Sequence, residues 1–247
     1  MNRILFERDE ITGGVAVFGG ARAEHVIKVL HGEVGQILKT GEVDGPIGTG
    51  EITAVEDGRV TVRLTHETPS IAPWVDLVLA PPRPRVMKRL LPQLAAMGVG
   101  RIVLVGAKKV EKDFWGATLL KEEIYRPLLV DGLMQAGTSA LPTIALKRNF
   151  RKWLREELDT DFPTSSRIVA HPYAVEDGRQ ETRQCGQDQS GRLLIAVGPE
   201  GGWTDEEVAL LEEKGFRRFS LGPRILRTDT AVISLLAVFM QHCLGRT

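Results

Sequence analysis

The sequence predicts a mixed α/β chain, with a small β-barrel-like module over residues 1–72 followed by an α/β domain over residues 73–247 built on a parallel sheet. Three observations carry that expectation. Short alternating runs such as Val60-Thr61-Val62-Arg63-Leu64 fill the first part. The stretch "THETPSIAPW", with Pro69 and Pro73, then reads as a linker, because proline and small polar residues stiffen a chain without packing. Beyond it, near-continuous apolar runs alternate with helical segments, and strands apolar on both sides belong in a parallel sheet covered by helices.

Taken in order, strands are expected at 13–17, 36–39, 49–55 and 60–64, with one helix over 23–30 between the first two. The Asp57-Gly58 pair between the last two strands is a hairpin signal. In the second domain the expected order is strand 75–80, helix 85–97, strand 100–105, helix 119–136, strand 143–146 and helix 150–158. Strands at 167–170, 193–197 and 216–221 complete the sheet. A last helix follows Thr228, and its segment 231–240 is apolar nearly all round, so it is expected to be buried in the core or in a subunit interface.

Composition narrows the class. Lys+Arg and Asp+Glu are 32 each and 43% of residues are hydrophobic, which excludes disordered and fibrous chains. The apolar segment 231–240 is too short to span a bilayer, and residues 1–10 lack the head and apolar core of a signal peptide. Cys185 and Cys243 form neither a metal-ligand spacing nor a disulfide framework. A cytoplasmic protein with no metal and no membrane partner is expected. The neutral total conceals an asymmetry, since residues 1–72 hold 7 Lys+Arg against 11 Asp+Glu and the basic excess lies in the remainder.

Ligands of open parallel sheets bind beyond the carboxyl ends of the strands. Three loops leave such ends late in the chain: "AHPYA", "VGPEGGW" and "LGPRILRTDT". The second enters a helix through Thr204 and Glu207, the spacing of a capping box, and Gly215 ends that helix. No phosphate-binding G-x-x-x-x-G-K-[ST] or G-x-G-x-x-G pattern is present, and the carboxylate of Glu200 inside the turn would repel a phosphate. The ligand is therefore expected to be neutral or cationic. In the third loop Arg224 and Arg227 bracket two apolar residues, and Thr228 or Thr230 can cap the helix that follows.

"VGPEGGWTDEE" together with "LGPRILRTDTA" closely resembles the RsmE-type ribosomal RNA methyltransferases of the SPOUT class, and "HPYA" at 171–174 sits where that family also has a His-Pro. The resemblance implies a SPOUT parallel sheet with a C-terminal deep trefoil knot, preceded by a PUA-like RNA-binding barrel. It implies S-adenosylmethionine bent among the knot loops, a homodimer, and methylation of N3 of a uridine in small-subunit ribosomal RNA, with the RNA or the small ribosomal subunit as partner. By motif, the cofactor-binding residues are His171, Pro172, Gly198, Glu200, Gly201, Gly202, Leu221, Gly222, Ile225, Leu226, Arg227 and Thr228. Arg227 is the candidate for stabilising a uracil anion. Glu200 can serve as base, stabilise a sulfonium, or hold the loop.

The chain also departs from that family. Its first catalytic-domain helix reads "KRLLPQLAAMGVG", with Pro92 and with Ala96-Met97 where the family carries an acidic residue. In "DGLMQAGTSALP" Gln135 and Gly137 match, while the family's acidic residue and arginine are lost. These departures leave open a methyltransferase with another RNA target, or a knotted RNA-binding or ribosome-assembly protein without turnover. Eight cations against two acids in residues 83–113 mark a basic stretch. Phe114, Trp115, Phe150 and Trp153 beside the basic clusters either stack bases or turn to the core.

Overall fold

The computed structural model describes residues 2–172 and 192–244. It falls into two compact units, one of Met1–Ala72 with Leu129–Leu141 and the other of Pro73–Leu128 with Pro142–Thr247.

The first unit is a curled six-stranded sheet of β1 (Ile4–Phe6), β2 (Ile11–Thr12), β3 (Val15–Phe18), β4 (Ile37–Glu42), β5 (Ile47–Glu56) and β6 (Arg59–Thr68). The order is β1-β4-β5-β6-β3-β2, with β1 parallel to β4 and the other pairs antiparallel. Asp57-Gly58 does form the β5–β6 turn, placing Glu56 opposite Arg59. The strand expected over 13–17 is shorter at its start, because Gly13 (φ 57°) and Gly14 (φ 77°) are both left-handed and turn the chain from β2 into β3. The expected helix over 23–30 is α1 (Gly20–Glu24) running into a π-turn, His25–Val29, in which Leu30 N–H bonds the His25 carbonyl at 3.1 Å. Alternation along β6 sends Val60 and Val62 inward, against Phe6, Phe18 and Val26.

The second unit holds β7 (Val75–Leu79), α2 (Pro84–Ala96), β8 (Val99–Val105), β9 (Thr143–Lys147), α4 (Phe150–Glu156), α5 (Leu158–Asp161), β10 (Arg167–Ala170), β11 (Leu193–Val197), α6 (Asp205–Glu213), β12 (Arg217–Phe219) and α7 (Thr228–Leu244). The helix Glu122–Ala136, α3, belongs to this unit up to Leu128 and to the first unit from Leu129. All strand pairs are parallel, in the order β12-β10-β11-β7-β8-β9. Every residue of β7 and β11 is buried, as the middle of a sheet with both faces covered demands. Proline at the first position of α2 starts that helix, and its Met87, Leu90, Leu91 and Leu94 face the core.

The structure decides one open alternative and shortens one expected strand. Phe114, Phe150 and Trp153 are core residues, 1–2% exposed, and cannot stack bases; Trp115 alone is half-buried. Their apolar area is worth more inside, about 1.5–3 kcal/mol for a fully buried large side chain. The strand expected over 216–221 stops at Phe219, because the Ser220 hydroxyl accepts the Gly222 N–H at 3.1 Å and bends the chain. The last helix is buried on one face only: Val232, Leu235, Leu236 and Phe239 are fully buried, while Ala231, Ile233 and Met240 are half-buried and Ala237 is exposed. Residues 173–191, between β10 and β11, with Cys185 and the end of the "HPYA" motif among them, lie outside the described residues.

Candidate functional site

Ala170, Val197 and Phe219, the final residues of β10, β11 and β12, line one cavity of about 430 Å³. That size falls within the about 300–1,000 Å³ of small-molecule sites. Its position follows from topology. The chain runs outward from β7 through β8 to β9, then returns to the other side of β7 for β10, β11 and β12, of which β11 lies beside β7, and strand ends at such a reversal leave a crevice.

Backbone and hydroxyl groups tie the three loops together. His171 N–H bonds the Phe219 carbonyl at 3.0 Å, and the Ser220 hydroxyl donates to the Pro172 carbonyl at 3.1 Å. The Thr228 hydroxyl donates to the Gly198 carbonyl at 3.3 Å, fully buried. Thr228 thus spends its side chain on the neighbouring loop instead of capping α7, of which it is the first residue.

The glycine-rich turn is equally determined. Gly202 N–H closes on the Pro199 carbonyl at 2.8 Å, and Gly202 has φ 71°, where a side chain would be strained. A Cβ at Gly198 would crowd Trp203 N at 3.0 Å. The expected capping box is present, since the Thr204 side chain accepts Glu207 N–H and Glu207 accepts Thr204 N–H at 2.9 Å. The other oxygen of Glu207, a residue 3% exposed, accepts the Lys108 N–H at 2.7 Å and so joins the turn to the segment after β8. Lys109 Nζ donates to the Gly201 carbonyl at 2.7 Å.

Of the residues expected from the motifs, His171, Pro172, Gly198, Glu200, Gly201, Gly202, Leu221, Gly222, Ile225, Leu226 and Thr228 all line the cavity. Arg227 does not. It is exposed at the start of α7, with its carbonyl accepting Ala231 N–H, and Arg224 is the arginine on the lining. Sequence reasoning missed Trp203, Ala231 and Leu235. Thr228, Ala231 and Leu235 stand at i, i+3 and i+7, a helical stripe that could have been read once the helix start was known.

The charges are arranged at the rim. Glu200, its side chain 48% exposed, lies 4.0 Å from Arg83 Nε, which also reaches Glu111 at 3.1 Å. These residues, with Lys109 and Phe114, line a small cleft that shares Pro199 and Glu200 with the main cavity. At the start of α6 a hydrogen bond from Arg151 holds the Glu206 carboxyl below the ordinary carboxylate range. Among the described residues no three His, Cys, Asp or Glu side chains gather as metal ligands would, and no helix is long and apolar enough to cross a membrane.

The lining suits a ligand with an apolar body and polar edges. Leu226, Ala231, Leu235 and Phe219 supply apolar walls, and the glycine turn supplies close backbone. Trp203 is 6% exposed, and its buried indole Nε1–H has no acceptor among the described residues. Such a donor is costly to leave unpaired. These features fit a nucleoside-containing cofactor of neutral or cationic character.

Comparison with known proteins agrees with the site. A family model described as RNA methyltransferase domain matches residues 70–240. The ribosomal RNA small subunit methyltransferase E of Treponema pallidum is 32% identical over 98% of this chain and 91% of its own length. Ribosomal RNA small subunit methyltransferase E 1 of Borreliella burgdorferi is 24% identical over 95% of each. Among solved structures, a Legionella pneumophila protein with bound cofactor SAM shares the fold at TM-score 0.75, with 24% identity over 97% of this chain and 96% of that one. The Neisseria gonorrhoeae ribosomal RNA small subunit methyltransferase E, bound to S-adenosyl methionine, does so at TM-score 0.72, with 21% identity over 98% and 97%. With the family model covering the whole α/β unit's motifs and a 32% identical relative spanning nearly the full chain, this protein belongs to the RNA methyltransferases, in the ribosomal RNA small subunit methyltransferase E family.

Proposed function

We propose that this chain is an S-adenosylmethionine-dependent methyltransferase that modifies N3 of a uridine in small-subunit ribosomal RNA. The observation that carries the reading is the cavity of about 430 Å³ closed by three loops at the strand ends, in a member of an RNA methyltransferase family. Relatives that bind S-adenosyl methionine and are named for ribosomal RNA support it.

Bound there, S-adenosylmethionine supplies an electrophilic methyl group on a cationic sulfur. The residues that would hold it are His171 and Pro172, Gly198 to Gly202, Leu221, Gly222, Ile225, Leu226 and Thr228, with Arg227 beside the lining. Trp203, whose buried indole N–H has no acceptor among the described residues, is part of the lining, and the Glu200 carboxylate at the rim complements the cofactor's positive charge. Tying the loops to one another would hold the methyl donor in one orientation, and alignment is where much of the rate of a displacement comes from.

Methylation at N3 releases the N3 proton. A guanidinium near the uracil lowers the barrier by stabilising the anion that forms. Arg227 takes that role in our reading, with Arg224 as its neighbour on the lining, and Glu200 is our candidate for the base that receives the proton. A second copy of the chain would cover the half-exposed apolar face of α7, giving a homodimer working on ribosomal RNA in the cytoplasm.

The test is nucleoside mass spectrometry of ribosomal RNA from cells lacking the gene, before and after incubating their small subunits with the purified protein and S-adenosylmethionine. N3-methyluridine absent before and present after supports the reading. A different methylated nucleoside moves the target and points to Pro92 to Met97. Cofactor binding without any methyl transfer hands the lead to an RNA-binding assembly protein.

A further inference from the structure

The side of α2 turned away from the core is cationic over its first two turns. Arg85, Lys88 and Arg89 stand at i, i+3 and i+4, which places them on one helix face, and all three are exposed. Arg83 immediately precedes the helix. No acidic residue lies in the first turn.

Both ends of this row reach the rim of the cavity. Arg83 approaches Glu200, which lines it, at 4.0 Å. Arg89 Nη2 lies 3.7 Å from Asp229 Oδ2, one residue beyond Thr228, which also lines it. Between them, the side chains of Arg85 and Lys88 make no hydrogen bond or ion pair among the described residues. Lys112 beyond Glu111 and Arg224 on the lining are exposed and equally without one.

Stability does not account for the arrangement. Exposed ion pairs such as those of Arg83 and Arg89 contribute about 0–1 kcal/mol. Arg85, in the first helical turn, opposes the helix dipole at a cost of about 0.3–1 kcal/mol. A row of like charges beside a cavity mouth, with so little return in stability, calls for a polyanion.

We propose that the first two turns of α2, Arg83 to Arg89, carry the phosphate backbone of the RNA substrate to the cavity, so that this chain's electrostatic grip on RNA lies in its methyltransferase unit. The inference rests on the RNA methyltransferase reading above. The charge balance of residues 1–72 supports it, since they hold 7 Lys+Arg against 11 Asp+Glu, a poor footprint for phosphates.

The experiment measures binding of in vitro transcribed small-subunit ribosomal RNA by the full-length protein across a series of salt concentrations, with S-adenosylmethionine affinity and methylation measured alongside. Each phosphate contact to single-stranded RNA adds about 0.7 to the slope of log affinity against log salt. The double variant Arg85→Ala/Lys88→Ala should lower that slope by about 1.4, with cofactor affinity and melting temperature at wild-type values. The control Lys39→Ala/Arg59→Ala, in the first unit, should leave the slope unchanged. An unchanged slope in Arg85→Ala/Lys88→Ala while the wild type methylates RNA overturns the α2 assignment and leaves the enzyme reading standing. Wild-type protein that neither binds RNA with salt dependence nor methylates it removes both.

Discussion

Lys109 Nζ donates to the carbonyl of Gly201 across 2.7 Å, and its aliphatic stem lies over the face of Gly201 where a Cβ would stand, 3.0 Å from Lys109 Cδ. A lysine 92 residues earlier therefore clamps the turn on which the cofactor reading depends. Removing the ammonium with Lys109→Met keeps the stem and frees the carbonyl. An exposed charge-assisted hydrogen bond is worth about 1 kcal/mol, so S-adenosylmethionine should bind roughly five-fold more weakly by calorimetry. Lys109→Arg should recover most of the loss, which a merely bulky role for the residue would not produce.

Gly201→Arg tests the turn from the other side. The nearest atom to a new Cβ is the flexible end of Lys109, so the fold should tolerate the change with little shift in melting temperature. The guanidinium side chain then fills the cavity mouth and repels a sulfonium. Cofactor binding should be lost, and binding that persists would place the ligand elsewhere.

Thr228→Val replaces a buried hydroxyl by a methyl group of similar size and leaves the Gly198 carbonyl without that donor. The expected cost is about 1–3 kcal/mol in urea unfolding. Thr228→Ser keeps the donor and should stay within about 1 kcal/mol of wild type.

Glu207 accepts from Thr204 N–H, the Thr204 hydroxyl and Lys108 N–H while almost wholly buried. Glu207→Ala strips the capping box and two amide partners together, at a cost of about 2–4 kcal/mol. Because the same carboxylate joins the turn to the Lys108-Lys109 segment, cofactor affinity should fall with stability. Loss of stability alone would show that the cap acts only on α6.

Burial pushes the Asp76 carboxyl above its ordinary range, although the hydrogen bond and charge of Arg192, at 2.9 Å, pull the other way. A folded value above the unfolded one means that the contribution of Asp76 to stability is fully present below the ordinary value of about 3.9 and is lost as pH rises through the folded value. Asp76→Asn keeps an acceptor for Arg192 and does not titrate. Its stability relative to wild type should therefore rise as pH increases from about 4 through the folded value and then level off. A difference that is flat over this range would mean that Asp76 titrates as it does in the unfolded chain.

The division of labour between local and long-range information is visible residue by residue. Alternation and the Asp57-Gly58 pair located the β5–β6 hairpin because both act within a few residues. The same logic failed at Gly13-Gly14, where two glycines among valines resemble a strand until their backbone angles are known. The apolar runs of β7, β10 and β11 were legible because burial on both faces demands them. The buried aromatics Phe114, Phe150 and Trp153 were ambiguous, since neighbouring charges describe the chain around a side chain and not the direction in which it points.

At the site, the capping box of Thr204 and Glu207 and the motif residues on three loops stood in the sequence, because short motifs encode local backbone shape. Their convergence depended on strand order, which places β10, β11 and β12 side by side though long segments separate them in the chain. So did the exchange of Arg227 for Arg224 on the cavity lining, the transfer of Thr228 from helix cap to loop tie, and the reach of Lys109 to Gly201. Hydrogen bonds among residues 30 and 92 positions apart leave no periodicity to read, and only the packed sheet brings their partners within 3 Å or so of each other.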